Sequence, residues 1–362
     1  MNLKYDIVII GAGIAGCISA MYLYQDFKIL VISKEVQATP KVYETLVASS
    51  KRIFSELEIE DVIKDFTEIN GTQSFWGSDT AYFTDALKNP EGASILIDKN
   101  ELMQRLNQKL LHKKIEKITD TILNVSKLNE GWKIKLSNEI IETEFIIDAS
   151  GRTNILKNQL HINKENIDKL VGLHAILPAK SSLDYSLIYP DKSGWFYFLP
   201  LQNSKTYVSY FTDSDLWDKK DLVSSRLLFQ KLEQLNNEKH LFNTFNFEAI
   251  EFLSNKASHT SVMDNVVDTN WVSVGDAALT IDPLSSSGMY NALIMAKFVS
   301  HALLEVKQGK STTSEFKDNV YQFYKRIWDH YTKDYGLFYG SEIRFANAEF
   351  WKRRVKSKEQ IV

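Results

Sequence analysis

Apolar positions follow different rhythms along this chain, and their order predicts an α/β protein. Tyr5 and Ile7 to Ile10 form a nearly continuous apolar run, as expected of a strand buried on both faces. The run breaks at Gly11-Ala12-Gly13-Ile14-Ala15-Gly16, and a helix is predicted from about Ile14 to Tyr24. A second buried strand is predicted over Phe27 to Ser33. The spacing of Leu46, Ser49, Ile53, Phe54, Leu57 and Ile59 predicts a helix that starts near Tyr43 and ends before Phe66. Gly71 to Ala86 is polar, aromatic and rich in turn residues, and Asn89-Pro90-Glu91-Gly92 marks a turn. A short strand, Ser94 to Ile97, and a helix from Lys99 to about His112 come next. Thr121 to Ser126, Gly131 to Leu136 and Ile140 to Ile147 alternate with turns and predict an antiparallel insertion that returns into the main sheet.

The second half is richer in aromatic residues. Strands are predicted at Leu173 to Leu177, Tyr185 to Tyr189, Gly194 to Leu201 and Lys205 to Phe211, followed by a helix at about Asp221 to Leu235. Trp195-Phe196-Tyr197-Phe198-Leu199 has no polar face, so both faces of this sheet are expected to be covered, one by helices and one by a ligand or the first domain. Asn270 to Val274 is a buried strand that ends in Gly275-Asp276, and a helix is predicted over Tyr290 to Val306. The tail, about Thr313 to Phe338 and Ser341 to Arg354, is helical and aromatic. It closes in a basic run, Trp351 to Lys358, read as a solvated helix end with contact to an acidic surface or lipid as the alternative.

Composition narrows the function. The chain has 362 residues and a formal charge of -3, so it offers no broad positive field for nucleic acid. Cys17 is the only cysteine, which excludes an intramolecular disulfide and reads as a small core residue. Met1 to Ile10 shows no basic leader or cleavage site, and no run reaches the ~18 apolar residues of a membrane span. A cytoplasmic protein without an integral membrane segment is expected, and no metal site stands out.

The chemistry gathers at glycine turns. Gly11 turns the chain out of the strand, Gly13 removes a Cβ where a pyrophosphate would approach, and Gly16 lets the helix lie close on the sheet. An acidic residue to bind ribose is expected about 20 residues on, where this chain has Ser33, Lys34 and Glu35; the Ser33 hydroxyl or Glu35 is left for that contact. Further strand-to-glycine turns occur at Asp148-Ala149-Ser150-Gly151-Arg152 and at Gly275-Asp276. An NAD dehydrogenase has no need of three such turns, whereas an extended FAD does. Asp276 suits the ribityl hydroxyls, with a helix N-cap as its plain alternative. Pro283 to Gly288 opens a helix whose N–H groups suit the flavin N1 and O2.

Gly11 to Gly16, Asp148 to Arg152 and Gly275 to Ala278 through Asp282-Pro283-Leu284-Ser285-Ser286-Ser287-Gly288 resemble FAD-dependent monooxygenases of the para-hydroxybenzoate hydroxylase fold, in the branch that includes tryptophan halogenases. Trp76-Gly77-Ser78, Asn89-Pro90-x-Gly92, Leu96 to Lys99, Phe211-Thr212-Asp213 and Phe350-Trp351-x-Arg353-Arg354 are similar to halogenase-related monooxygenases that hydroxylate a tryptophan in a quinone-forming partner protein. The chain departs from halogenases in four places. Their Trp-x-Trp-x-Ile-Pro motif is Trp195-Phe196-Tyr197-Phe198-Leu199-Pro200 here. The lysine they need in the loop aligned with Asn70 to Trp76 is missing. Tyr43 to Leu46 lacks their proline, and Asp98 is followed by Lys99 rather than arginine.

The resemblance implies a glutathione-reductase-like FAD-binding domain with a doubly wound βαβ sheet (1–70, 93–165 and 258–310), an inserted mixed β-sheet substrate domain (71–92 and 166–257) and C-terminal helices (311–362). It implies FAD contacts at Gly11, Gly13, Ile14, Ala15, Gly16, Ser33, Lys34, Thr45, Arg105, Gly151, Gly275, Asp276, Pro283, Ser287, Gly288 and Met289. Trp76, Trp195, Tyr197, Phe211 and Pro283 are expected to face substrate, Trp76 having a plain alternative as a loop anchor. His174 is a candidate to deprotonate a phenol or indole, and a core histidine is the alternative; His259 and Ser261 read the same way. The implied reaction is hydroxylation of an aromatic ring, on a small molecule or on a peptide- or protein-borne side chain, through a flavin C4a-hydroperoxide. Dioxygen and NAD(P)H or a separate flavin reductase would supply it. The alternatives are a flavin-dependent halogenase, an FAD-dependent reductase of unsaturated substrates, and a non-catalytic FAD-binding accessory protein.

Overall fold

In the computed structural model, which describes residues 3–35, 40–178, 185–238 and 250–356, the first strand, Leu3–Ile10, lies at the centre of a sheet. It pairs in parallel with Ile29–Ser33 on one side and Ile140–Asp148 on the other. Glu116–Thr119 and Trp271–Ser273 extend the parallel array outward. Ile29–Ser33 is buried at every position, so its sequence runs apolar without alternating. Helix Ile14–Leu23 packs against both helix Lys99–His112 and helix Gly288–Lys307. Asn124–Lys127 and Trp132–Lys135 form the expected antiparallel insertion, with Trp132–Lys135 pairing with the first half of Ile140–Asp148.

Two local expectations change. Tyr43–Leu46 is a strand, paired antiparallel with Ser94–Asp98, and the helix after it spans only Lys51–Glu56. The apolar spacing there imitates a helix, but the partner strand satisfies the backbone first, and tertiary pairing overrides propensity. Glu116–Thr119 was not expected, being four half-polar residues at a sheet edge.

The second sheet has seven strands, in the order Glu251–Ala257, Leu170–Pro178, Lys205–Asp213, Gly194–Leu201, Ser186–Asp191, Gly71–Ser74 and Tyr82–Asp85. Leu173, Phe196, Phe198 and Tyr210 on one face pack against Leu227, Leu228 and Leu232 of helix Arg226–Glu238. The opposite face has two covers. At one end Ile176, Leu199 and Tyr207 meet Ile69 and Leu96 of the small sheet that contains Tyr43–Leu46. At the other, Leu170, Trp195 and Phe211 meet Tyr331, Tyr335 and Tyr339 of helix Thr313–Ser341 and Phe350 and Trp351 of helix Glu349–Lys356. Cross-strand partners share a face, so the register leaves His174, Ser209, Tyr197 and Ile188 in a strip between the two covers.

The C-terminal cover is locked by a buried ion pair. Arg354 donates to Asp213 Oδ1 and Oδ2 at 2.7 and 3.1 Å, and Trp351 Nε1 donates to the Asp191 carbonyl at 2.9 Å. Arg353 reaches Asp213 and Asp215. The basic run therefore begins as an internal clamp rather than a solvated helix end, while its Ser357 and Lys358 lie outside the described residues. Among the described residues no helix is long and apolar enough to cross a membrane. Arg354→Met should leave the buried Asp213 with only the more distant Arg353, at 3.4 Å, as its ionic partner among the described residues and cost up to about 3 kcal/mol of unfolding free energy in urea titration.

Candidate cofactor and substrate site

Two long helices begin at one edge of the parallel sheet without side-chain caps. Helix Lys99–His112 is capped by Asp98, and helix Thr313–Ser341 by a Thr312–Glu315 capping box. Helix Ile14–Leu23 has Gly13 as its N-cap, and helix Gly288–Lys307 has Ser287, whose hydroxyl donates instead to the Ser285 carbonyl at 2.8 Å. Their first-turn N–H groups remain available to an anionic or carbonyl partner.

The glycines at these termini divide by what surrounds them. A Cβ on Gly11, which has φ +108°, would lie 2.3 Å from the Ala149 carbonyl oxygen, and one on Gly16 would lie 1.9 Å from that of Gly11. Those two are required by the fold itself. At Gly13 the nearest atom to an added Cβ is 4.0 Å away, and at Gly288 nothing lies within 4 Å. Packing does not explain the missing side chains there, whereas a pyrophosphate against Gly13 and a flavin edge against Gly288 would. The residues fit FAD.

The other turns complete the edge. Asp148 is buried and spends its carboxylate on the Ser150 and Leu156 N–H groups, each at 2.9 Å, and burial raises its pKa above the usual carboxylate range. It shapes the turn that carries Gly151 and Arg152. Arg152 donates to the His259 carbonyl at 3.0 Å and places Nε 3.7 Å from Asp276 Oδ2. Asp276 lies inside the turn Gly275–Ala277, capping no helix, and its side chain is 45% exposed. Its carbonyl accepts from Lys164 Nζ at 2.8 Å, a lysine that burial lowers to about 8. No motif in the sequence singles out Lys164. Lys99 pairs with Glu44 at 2.8 Å, and the Glu44 charge raises its pKa.

Of the remaining expected FAD contacts, Ile14, Ala15 and Met289 are buried at the two helix starts, and Pro283 and Ser287 line the turn before the second. Ser33 ends its strand buried, and Lys34 follows exposed. Arg105 is engaged by the protein: it donates to the Val62 carbonyl at 3.1 Å, pairs with Glu101 and lies 4.7 Å over the Phe66 ring. Thr45 joins the two sheets, its hydroxyl 2.7 Å from that of Tyr197.

The expected substrate wall separates into two groups. Trp76, Trp195 and Phe211 lie within the aromatic packing beneath the C-terminal helices. Trp195 stacks on Phe211 at 4.3 Å, and Trp76 meets the rings of Trp195, Tyr339 and Trp351 while its indole donates to the Phe338 carbonyl at 2.7 Å. Tyr197 lies on the strip between the covers and packs against both. His174 is on the same strip, its Nδ1 2.8 Å from Ser209 Oγ and its ring stacked with Tyr207. Burial lowers this imidazole to about 4, so it is neutral near pH 7. His259 is half-buried, and Ser261 is hydrogen-bonded to Thr280 at 2.7 Å. Cys17 is buried, and burial pushes its thiol up to about 12.

Comparison with known proteins gives a consistent picture. A profile described as tryptophan halogenase matches residues 92–360. LodB of Marinomonas mediterranea, named as an FAD-dependent oxidoreductase, is 25% identical over 371 residues and covers 97% of both chains. The myxobacterial chondrochloren halogenase CndH superposes with a TM-score of 0.83 at 18% identity, over 99% of this chain and 88% of its own. QhpG, a peptidyl tryptophan dihydroxylase essential for tryptophylquinone cofactor biogenesis, superposes with a TM-score of 0.73 at 18% identity, over 97% of this chain and 78% of its own.

The glycine geometry yields a paired prediction. Gly13→Val should abolish FAD retention while leaving the thermal midpoint of the apoprotein unchanged, and Gly16→Ala should lower that midpoint because its Cβ meets backbone. Calorimetry and released-flavin absorbance check both. His174 titrates lower in the folded chain than its ordinary 6.5, so the unfolded chain binds the extra proton and the His174 contribution to stability rises with pH between about 4 and 6.5, against the opposite slope of Asp282, which burial raises to about 7. The His174 slope approaches ~1.4 kcal/mol per pH unit, and His174→Gln should remove it in urea titrations across that range.

Proposed function

The chain belongs to the tryptophan halogenase family, a family of FAD-dependent oxidoreductases, and from that premise we propose that it is a monooxygenase that hydroxylates an aromatic ring, free or carried on a peptide. The observation that carries this reading is the strand Gly71–Ser74 with its flanks. Its pairing with Ser186–Asp191 brings Asn70 to Trp76 beside the strip, and no lysine is among those residues. The hydroxyl and imidazole groups of Tyr197, Ser209 and His174 suit hydrogen bonds to an indole N–H or a phenol. The peptidyl tryptophan on which QhpG acts supports a peptide-borne ring.

In this reading the helix start at Gly13 to Gly16 holds the pyrophosphate, Asp276 the ribityl chain, and Ser287 to Met289 the pyrimidine end of the flavin. When bound, reduced FAD supplies the activation of dioxygen, its electrons coming from NAD(P)H directly or through a flavin reductase. The protein supplies placement and exclusion of water. Thr45 and Tyr197 hold the two sheets in register beside the flavin end. Neutral His174, oriented through Nδ1 by Ser209, is suited to take a proton from the ring's N–H or O–H at Nε2. The aromatic packing beneath the C-terminal helices closes one end of the strip to solvent.

Halogenation is the second reading, favoured by the family profile and by the likeness to CndH. A turnover assay with FAD, NADH, a flavin reductase and a tryptophan-bearing peptide, run with and without bromide, separates the two. Hydroxylated product formed at the same rate in both supports the proposal; brominated product refutes it. Tyr197→Phe should leave FAD content intact and raise the apparent substrate constant about fivefold, the worth of one hydrogen bond.

A further inference from the structure

The turn that opens helix Gly288–Lys307 is tied to the rest of the protein through one buried carboxylate. Asp282 is 1% exposed. Its Oδ1 accepts from the Leu284 N–H at 2.8 Å, within the turn, and its Oδ2 accepts from the Tyr339 hydroxyl at 2.7 Å. Its own N–H donates to the Tyr331 hydroxyl at 3.3 Å. Ser285 donates its hydroxyl to the Asp282 carbonyl at 2.9 Å, so the turn is built outward from this residue. Tyr331 and Tyr339 are two turns apart on helix Thr313–Ser341, and Trp195 Nε1, from the substrate sheet, donates to the Tyr339 hydroxyl at 3.2 Å.

Asp282 thus joins three parts of the molecule: the flavin-facing turn, the C-terminal helix and the strand bearing Trp195. Its role is not that of an ion-pair partner. The buried guanidinium of Arg354 is bonded to Asp213 and lies 5.0 Å over the Tyr339 ring, and no ion pair to Asp282 occurs among the described residues. A carboxylate so deeply buried is costly unless hydrogen-bonded; burial pushes Asp282 up to about 7, and the Tyr339 hydroxyl bond works against that rise by favouring the ionised form. The Tyr339 bond is the member of this set that reaches outside the turn through the carboxylate itself.

We propose that Asp282 and Tyr339 form a positioning pair that holds the turn Pro283 to Ser287 in place for FAD, so that the reduction potential of the bound flavin depends on their hydrogen bond. This rests on the reading above, that the pyrimidine end of the flavin lies at Ser287 to Met289. The reduced flavin carries negative charge there, and N–H groups at a helix start stabilise it only when held in position. Asp282 and Tyr339 act through the turn.

The test is the two-electron reduction potential of bound FAD in Tyr339→Phe, which removes the hydroxyl and keeps the carboxylate. The preference for reduced flavin should weaken about tenfold, a shift of about 30 mV to more negative potential, with FAD stoichiometry unchanged. Tyr335→Phe, in the same aromatic packing but without a bond to Asp282, should keep the wild-type potential. Wild-type potential in Tyr339→Phe overturns the proposal, as does an equal shift in Tyr335→Phe. If Tyr339→Phe does not fold, Trp195→Phe, which removes the donor to the Tyr339 hydroxyl, decides: a smaller shift in the same direction supports the pair and none overturns it. Failure of the wild-type chain to bind FAD would refute the cofactor reading itself, a result visible before any variant is made.

Discussion

Everything at the candidate site depends on how closely three backbone segments approach one another. Gly11, Gly16 and Gly275 sit where an added Cβ would meet the Ala149 carbonyl, the Gly11 carbonyl, and the side chains of Ala15 and Ala292. That contact draws the starts of helices Ile14–Leu23 and Gly288–Lys307 to the same edge of the parallel sheet. Neither start has a side-chain cap, so partial positive charge remains at that edge for a ligand to neutralise. The rest of the architecture serves to present this edge to the second sheet.

The second sheet answers it with a divided face. Leu199 and Tyr207 are covered by the small sheet that contains Tyr43–Leu46, Trp195 and Phe211 by the C-terminal helices, and the hydrogen-bonding strip of His174, Ser209 and Tyr197 lies between. The C-terminal helices therefore belong to the site's architecture. Arg354 clamps them to Asp213, and Tyr339 ties them to Asp282 at the start of the turn that precedes helix Gly288–Lys307. One set of aromatic rings both fills a core and sets the position of a polar turn.

Much of this was legible in the sequence, where a residue's local pattern and its tertiary role agree. Ile7 to Ile10, the glycines after them and the helix from Lys99 follow from apolar runs and turn chemistry. Tyr43 to Leu46 was misread because a strand stabilised by a distant partner imitated helical spacing. Trp76, Trp195 and Phe211 stood out as aromatic, but aromatic content cannot tell a ligand wall from a packed cover; strand register assigned Tyr197 to the strip between the covers and ring contacts assigned the other three to the C-terminal cover. Lys164, Arg354 and Asp282 act through contacts 49 or more residues away in sequence, and no spacing rule reaches that far.

In the proposed function, this edge and strip together insert oxygen from dioxygen into an aromatic ring. The most direct test is turnover of a tryptophan-bearing peptide under ¹⁸O-labelled dioxygen in unlabelled water with chloride and bromide present, read by mass spectrometry of the product. The expected product carries a labelled oxygen on the indole ring and no halogen. A halogenated ring, or an oxygen drawn from water, would contradict that function.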